Sequence, residues 1–590
     1  MRDLAAPAVS RPLPAQQVRL SGGVLADRCR KNIANLFMGI QVEGLARVYA
    51  ETHGSWYAEP EFCGHYLDTA AQVHGTTGSD EVLERARHLV ESILANQRAD
   101  GYLGTYERGL EFDGTFSVWN ETFTVKGLLS YYEETRDARA LSAAMRCVDR
   151  LAGAYMAPDG PDLFRSVNQG VENLCIISQL PRLYALSGKQ LYLDFAVHLL
   201  DRAEATGLKL VTGPGLPAPI SSIGCLKGAE MLICYAGLVD LHRVTGDGTY
   251  LSAATGYWDA VCDSQIGPTG NGSIAECWTY LDLSRLALSV PAELRPNENC
   301  VAVTWMKLSA ALFGQTGRGA YIDAMERTLY NHLLGAQALD GTDFSYYQAT
   351  RGRKVHATDP GQYSCCRYRG MNMLAHLPRY VYAESDDALA VNLYCGSEAE
   401  ASIAGHPVTI VQETDYPRTG RVAFQVRAEE GGEFVLALRM PAWCRSASIA
   451  VNGQPEPATS RDGYLRIERA WSAEGDRVEL EFDMPVGSIA GRCDDRDVVA
   501  VTYGPLVLAL DSCYGVPIEG TELVVSQGMC RRVPESAPDG LTPLVRFRSP
   551  GRHLGAPVTL TLVDYASAGS VDPERDRFLT WLPIASDGRS

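Results

Sequence analysis

VLERARHLVESIL, residues 82–94, places Val82, Leu83, Ala86, Leu89, Val90, Ile93 and Leu94 at a 3.6-residue period, the apolar stripe of an amphipathic helix. The run follows a short break at Thr77-Gly78, and apolar helical runs separated by such breaks return along the chain. The others fall at Thr135-Arg136-Asp137, Ser187-Gly188, Thr245-Gly246-Asp247 and Thr316-Gly317. The second residues of successive breaks lie 58, 52, 58 and 71 positions apart. Glycine suits the left-handed residue that closes a helix. A recurrence above about 50 residues is too long for two-helix solenoid units of about 34–47. Helical hairpins with long loops, closing into an (α/α) toroid, fit it better than an open array, because the loops are long and rich in aromatic and polar residues.

Beyond about residue 386 the period becomes two. AVNLYCG, RVAFQVRAE, EFVLALRM and RVELEFDM alternate, and Asn452-Gly453 is a hairpin signal. DVVAVTYG, PLVLAL and PVTLTLVDY carry strands onward to the C-terminus, which predicts a β-sandwich and a second β-rich region. The expected division is a leader over 1–25, a helical barrel over 26–385, a β-sandwich over 386–488 and further β structure over 489–590.

The 590 residues are 46% hydrophobic and 21% charged, ordinary values that exclude a disordered chain. No apolar run approaches 18 residues, so no membrane span is expected. The opening MRDLAAPAVSRPLPAQQVRL lacks the apolar core of a secretory signal, which points to the cytoplasm. With 53 Lys and Arg against 71 Asp and Glu, a net charge of −18, nucleic acid is not an expected partner. Phosphate loops of the GxxxxGK[ST] type, GxSxG elbows, HExxH and strand-linked GxGxxG are all absent. Sixteen cysteines without a dense framework read mostly as buried thiols, Cys147 and Cys175 among them.

One cysteine group reads differently. NENC, Asn297 to Cys300, is followed by SCCRYRG, Ser364 to Gly370. Glu298, Cys300, Cys365 and Cys366 together make one carboxylate and three thiolates, an adequate tetrahedral zinc set. Adjacent cysteines do not easily ligate from a regular helix, so the pair is expected on a loop or turn, and Asp359-Pro360-Gly361 just before it agrees. Buried unreactive thiols are the alternative, and spacing alone leaves both open. A zinc-bound thiolate is an anion at neutral pH, the form a nucleophile needs.

NENCVAVTWMKL, YIDAMERTLYNHLLGAQALDG, SYYQATRGRK, the Cys-Cys pair and LAVNLYCGSEA together resemble glycoside hydrolase family 127, the β-L-arabinofuranosidase type. YAEPEFCGHYLDTAA, NQRADGYLGTY and VWNETFTVKGLLSYYEETRD extend the resemblance upstream, and VNGQPEP and DRVELEFDMPV extend it into the strands. It implies an (α/α)6 barrel followed by C-terminal β-sandwich domains, mainly α with β. The implied activity is that of a retaining exo-glycosidase acting on an oligosaccharide or glycoconjugate. By the same resemblance Glu298, Cys300, Cys365 and Cys366 hold Zn2+, Cys365 is also the nucleophile, and Glu276 in GNGSIAECW is the acid/base. The β-sandwich is where a homodimer contact would form, as in relatives.

Departures bear on the sugar. Arg367-Tyr368-Arg369 follows the cysteine pair where many members have Pro-Asn. Val171 and Cys225 fall where two sugar-site histidines would align. Glu61 and His65, one helical turn apart, Trp119 and Tyr346 are further candidates for substrate binding, each with a packing role as the alternative. Tyr347 could act like Tyr346, and His332 reads as a packed helix histidine. Two rival readings are a lyase or epimerase on the same kind of barrel and a non-catalytic sugar binder with structural zinc.

Overall fold

Each of the five breaks closes a helix with a left-handed residue. Gly78, Arg136, Gly188, Gly246 and Gly317 have φ of 65°, 61°, 72°, 77° and 68°, and each amide donates to the carbonyl four residues back at 2.7–2.8 Å. Asp137 and Asp247, which follow two of them, then cap the next helix by accepting from Arg139 N and Thr249 N. The computed structural model describes residues 5, 6, 8–51, 59–112, 116–213, 220–280, 294–355, 364–493, 496–524, 530–535 and 543–585.

The helices that end at these breaks, with one more, form a closed inner ring. Its members are Pro60–Thr77, Ser117–Thr135, the run Val171–Leu174 through Leu180–Ser187, Gly228–Thr245, Asn299–Thr316 and Cys365–His376. Each packs on the next, and the last packs on the first. Outside them lie Asp80–Asn96, Ala138–Tyr155, Leu191–Thr206, Gly248–Ser264 and Gly319–Arg327, with Gly23–Lys31 and the turns after it backing the last inner helix. The ring therefore closes as an (α/α)6 barrel. Among the described residues no helix is long and apolar enough to cross a membrane.

Burial separates the two layers. The outer helix Asp80–Asn96 buries Val82, Ala86, Leu89, Val90 and Ile93 and leaves its other face wet. The inner helix Pro60–Thr77 is buried nearly all round, polar Glu61, His65, Asp68 and Gln72 included. Inner helices cross closely where Gly127 faces Gly64, and a Cβ on Gly127 would sit 2.9 Å from Gly64 Cα.

Two sheets make the sandwich. A six-stranded one runs Arg11–Pro12, Tyr382–Glu384, Ala388–Val391, Gly432–Arg439, Tyr464–Trp471, Thr459–Arg461. A seven-stranded one runs Gln454–Pro455, Ala447–Val451, Asp476–Phe482, Arg421–Ala428, His406–Thr414, Gly396–Ile403, Val18–Gly22. Asp476–Phe482 alternates buried and exposed at every step, as its period predicts. Two stretches within the expected leader over 1–25 are built into the sandwich. Arg11–Pro12 pairs with Tyr382–Glu384 and Val18–Gly22 with Gly396–Ile403, so these two stretches edge the two sheets. A third sheet begins at Val486–Cys493.

Candidate active site

Glu298 stands in extended conformation just before the helix Asn299–Thr316, and Cys300 lies in that helix's first turn. Cys365 and Cys366 are the first two residues of the neighbouring helix Cys365–His376, with Ser364 extended before them. This corrects the expectation of a loop or turn to the first turn of a helix; the supporting Asp359-Pro360-Gly361 lies outside the described residues. In a first turn no preceding turn walls off the side chains, so both sulfurs can face Cys300 on the adjacent helix. The unpaired N–H groups and positive dipole end there also favour thiolates.

The ligand atoms of Glu298, Cys300, Cys365 and Cys366 all lie within 4.8 Å of one another. Cys300 and Cys366 sulfurs are 3.2 Å apart, and Cys366 Sγ is 3.7 Å from Glu298 Oε1. Glu298 is 4% exposed, yet its Oε2 accepts no hydrogen bond. Burial, then the charges of Cys365 and Glu276, push this carboxyl well above its usual range. A cation among the four donors would remove that cost, and one carboxylate with three thiolates fits a tetrahedral zinc. Cys365 is the least buried of the four. Hydrogen bonds from Cys300 and Cys366, with Arg369 nearby, hold its thiol well below the ordinary thiol range. All sixteen cysteines are free thiols.

Glu276 faces this cluster across a tyrosine. Tyr346 and Tyr347 donate to Glu276 Oε1 at 2.8 and 3.0 Å, and Lys227 Nζ donates to Oε2 at 2.8 Å. Cys365 Sγ lies 3.5 Å from the same Tyr346 hydroxyl. That shared hydroxyl sets an upper limit of 6.3 Å on the distance between the Cys365 sulfur and Glu276 Oε1, against the about 5–5.5 Å typical of a retaining pair. Ala275 and Glu276 are held at φ 46° and 71°, a left-handed strain of the kind found at functional sites.

The catalytic-domain family model for GH127 β-L-arabinofuranosidases matches residues 20–379, and the middle-domain model of the same family matches 388–484. The chain belongs to glycoside hydrolase family 127. A curated relative, the non-reducing end β-L-arabinofuranosidase of Bifidobacterium longum, is 22% identical over 546 residues, covering 82% of this chain and 80% of its own. Among solved structures, a GH127 β-arabinofuranosidase aligns with a TM-score of 0.80 at 22% identity over 98% of both chains. A GH127 β-L-arabinofuranosidase from Geobacillus stearothermophilus T6 aligns at 0.77 and 22%, over 96% of this chain and 100% of that one. The barrel with its β-rich C-terminal part is thus this family's fold.

Other candidate residues of this glycoside hydrolase sit beneath the cluster. Glu61 is 3%, His65 1% and Trp119 4% exposed. Trp119 Nε1 donates to Glu61 Oε2 at 2.8 Å, Arg369 donates to Glu61 Oε1 at 3.1 Å, and His65 Nε2 lies 3.4 Å from the same oxygen. Burial pushes Glu61 up to about 7 against the pull of Arg369. Arg369, one of the departures, so joins Glu61 to the helix of the cysteine pair. Tyr346 and Tyr347 serve Glu276 through their hydroxyls. His332 is fully buried, and burial lowers it to about 3. Val171 is wholly buried and Cys225 Sγ points at Asn168 O, 3.8 Å away.

Sequence reasoning missed Lys227, Glu230 and Glu172. Lys227 lies 3.6 Å from Glu230 Oε1 as well as on Glu276, and Glu172 is 2% exposed. The available signal was charge inside apolar runs, in GVENLCII and in CLKGAEMLICY.

Proposed function

We propose that this glycoside hydrolase is a zinc-dependent retaining exo-glycosidase that releases a terminal furanosidic sugar, β-L-arabinofuranoside-like, with Cys365 as nucleophile and Glu276 as acid/base. The observation that carries the reading is that Cys365, the most accessible donor of the cluster, and Glu276 meet at one Tyr346 hydroxyl. The names of the relatives support the choice of sugar. Glu298, Cys300, Cys365 and Cys366 would hold the zinc, which supplies deprotonation of the thiols at neutral pH and a more easily displaced sulfur.

In the first step Cys365 Sγ bonds to the anomeric carbon as the C–O bond to the leaving group breaks, and Glu276 gives its proton to the departing oxygen. In the second, the Glu276 carboxylate takes a proton from water, which displaces the sulfur from the same carbon. Two displacements at one centre return the starting anomer. Tyr346, Tyr347 and Lys227 favour the carboxylate of the second step, whereas burial favours the protonated acid of the first.

The test is a panel of aryl furanosides and pyranosides, given to reduced, zinc-assayed protein and to its Cys365→Ala variant. Release from an L-arabinofuranoside or a related furanoside, with the anomer retained and turnover lost at least about a thousandfold in the variant, is the expected result. A variant within tenfold of the parent would remove Cys365 from the chemistry.

A further inference from the structure

Glu172 and Glu230 stand in the first turns of two adjacent inner helices, Val171–Leu174 and Gly228–Thr245. Both are more than nine-tenths buried, at 2% and 8% exposure. Each has one oxygen engaged: Asn168 Nδ2 donates to Glu172 Oε1 at 2.5 Å, and Lys227 Nζ lies 3.6 Å from Glu230 Oε1. The other oxygen of each, Oε2, is buried and accepts no hydrogen bond. A carboxylate oxygen taken from water without a donor is costly, and a donor supplied to either of these two neighbouring oxygens would relieve that cost. Lys227 also holds Glu276 at 2.8 Å, so this pair lies one side chain from the proposed acid/base.

The surroundings fit ligand recognition better than packing. Asn168, Gln169 and Gly170 are consecutive left-handed residues, at φ 49°, 56° and 72°, and that strained turn delivers the Asn168 amide to Glu172. Burial, then the neighbouring Glu230, raise Glu172 to about 7. Sugar hydroxyls, which can donate to a carboxylate or accept from a carboxyl, match two unpartnered oxygens in either state, while a ligand carboxylate would meet like charge.

Resting on the glycosidase reading, we propose that Glu172 and Glu230 are specificity-determining residues that accept hydrogen bonds from hydroxyl groups of the bound sugar, so that the substrate is a neutral sugar and uronic acids are excluded. A hydrogen bond to a charged acceptor corresponds to about 10–150-fold in affinity.

Binding is measured by calorimetry in the Cys365→Ala background, which removes turnover from the readout. The probes are methyl furanosides and pyranosides of neutral pentoses and hexoses, single-deoxy analogues of the best of them, and the matching uronate. The expected results are at least tenfold weaker binding of the best sugar on Glu172→Gln or Glu230→Gln and less than threefold loss for the analogue lacking the hydroxyl that residue reads. Melting temperatures within a few degrees of the parent qualify the comparison. Discrimination against the uronate, at least tenfold in the background protein, needs neither Gln variant. Equal losses for the sugar and every deoxy analogue, a uronate bound as well as the neutral sugar, or no neutral sugar bound at all would each overturn the proposal. Failure of the glycosidase reading is distinct: unsubstituted protein without turnover on the panel, with the binding pattern intact.

Discussion

Glu276 carries opposing influences whose balance can be moved by one substitution. Burial pushes its carboxyl up, but Lys227 at 2.8 Å and the Tyr346 hydroxyl outweigh burial and hold it below the ordinary range. As the proposed general acid, Glu276 would work only while protonated, so on that reading the basic limb of kcat/KM follows this group. Lys227→Met removes the largest lowering influence, and the basic limb is expected to move to higher pH. Profiles of kcat/KM against pH for the two proteins check this; an unmoved limb would mean that Lys227 does not govern the proton. At this scale spacing alone left the Glu298, Cys300, Cys365 and Cys366 set open against buried thiols, and it was the family resemblance that singled out the four residues the structure brings within 4.8 Å of one another. Glu172, Lys227 and Glu230 were not singled out, because charged residues at helix starts read as solvated caps until the ring turns them inward.

Helices of the inner ring share one orientation of chemistry. Glu61, Trp119, Glu172, Glu230, Cys300 and Cys365 each fall within the first turn of a different inner helix, so six positive dipole ends converge on the anionic site. The far ends carry the left-handed caps, and there the breaks in the sequence were readable, since a glycine after an apolar run has a backbone reason. Arg136 is the exception, a side chain at φ 61° where the other four caps are glycine. Arg136→Gly is expected to stabilise the protein by about 0.5–1 kcal/mol, the relief of left-handed strain exceeding glycine's extra chain entropy, as read from the denaturation midpoint. Gly127→Ala should do the reverse. Its Cβ would fall 2.9 Å from Gly64 Cα, backbone that cannot swing aside, and a loss of about 1–3 kcal/mol is expected. Placing Cys365 and Cys366 on a loop or turn failed at this scale too, because spacing does not distinguish the first turn of a helix from its interior.

The whole molecule is joined by contacts that no local pattern announces. Strands at Arg11–Pro12 and Val18–Gly22 find partners at Tyr382–Glu384 and Gly396–Ile403, and their short length hid them. The barrel meets the sandwich at Arg439, a fully buried strand residue whose guanidinium bonds Asp323 Oδ1 and Glu326 Oε1 of the outer helix Gly319–Arg327, each at 2.5 Å. It also donates to Asn392 O at 2.6 Å, and Tyr416 donates to Glu326 at 2.8 Å. Removing the cation leaves the buried Glu326 and the partly exposed Asp323 carboxylates without it, so Arg439→Met is expected to cost about 3–5 kcal/mol in apparent stability. Burial already raises Asp323 above its usual value, and Arg439 is what restrains it. Without Arg439 its folded pKa rises further above the unfolded one. The folded variant then binds more protons, and its stability falls as pH rises through that range. The deficit should accordingly be larger at pH 7.5 than at pH 5, and Asp323→Asn added to Arg439→Met should recover part of it at the higher pH. Thermal unfolding of the three proteins at both values decides: a deficit independent of pH and untouched by the second substitution would mean that lost packing, rather than stranded charge, is what Arg439 prevents.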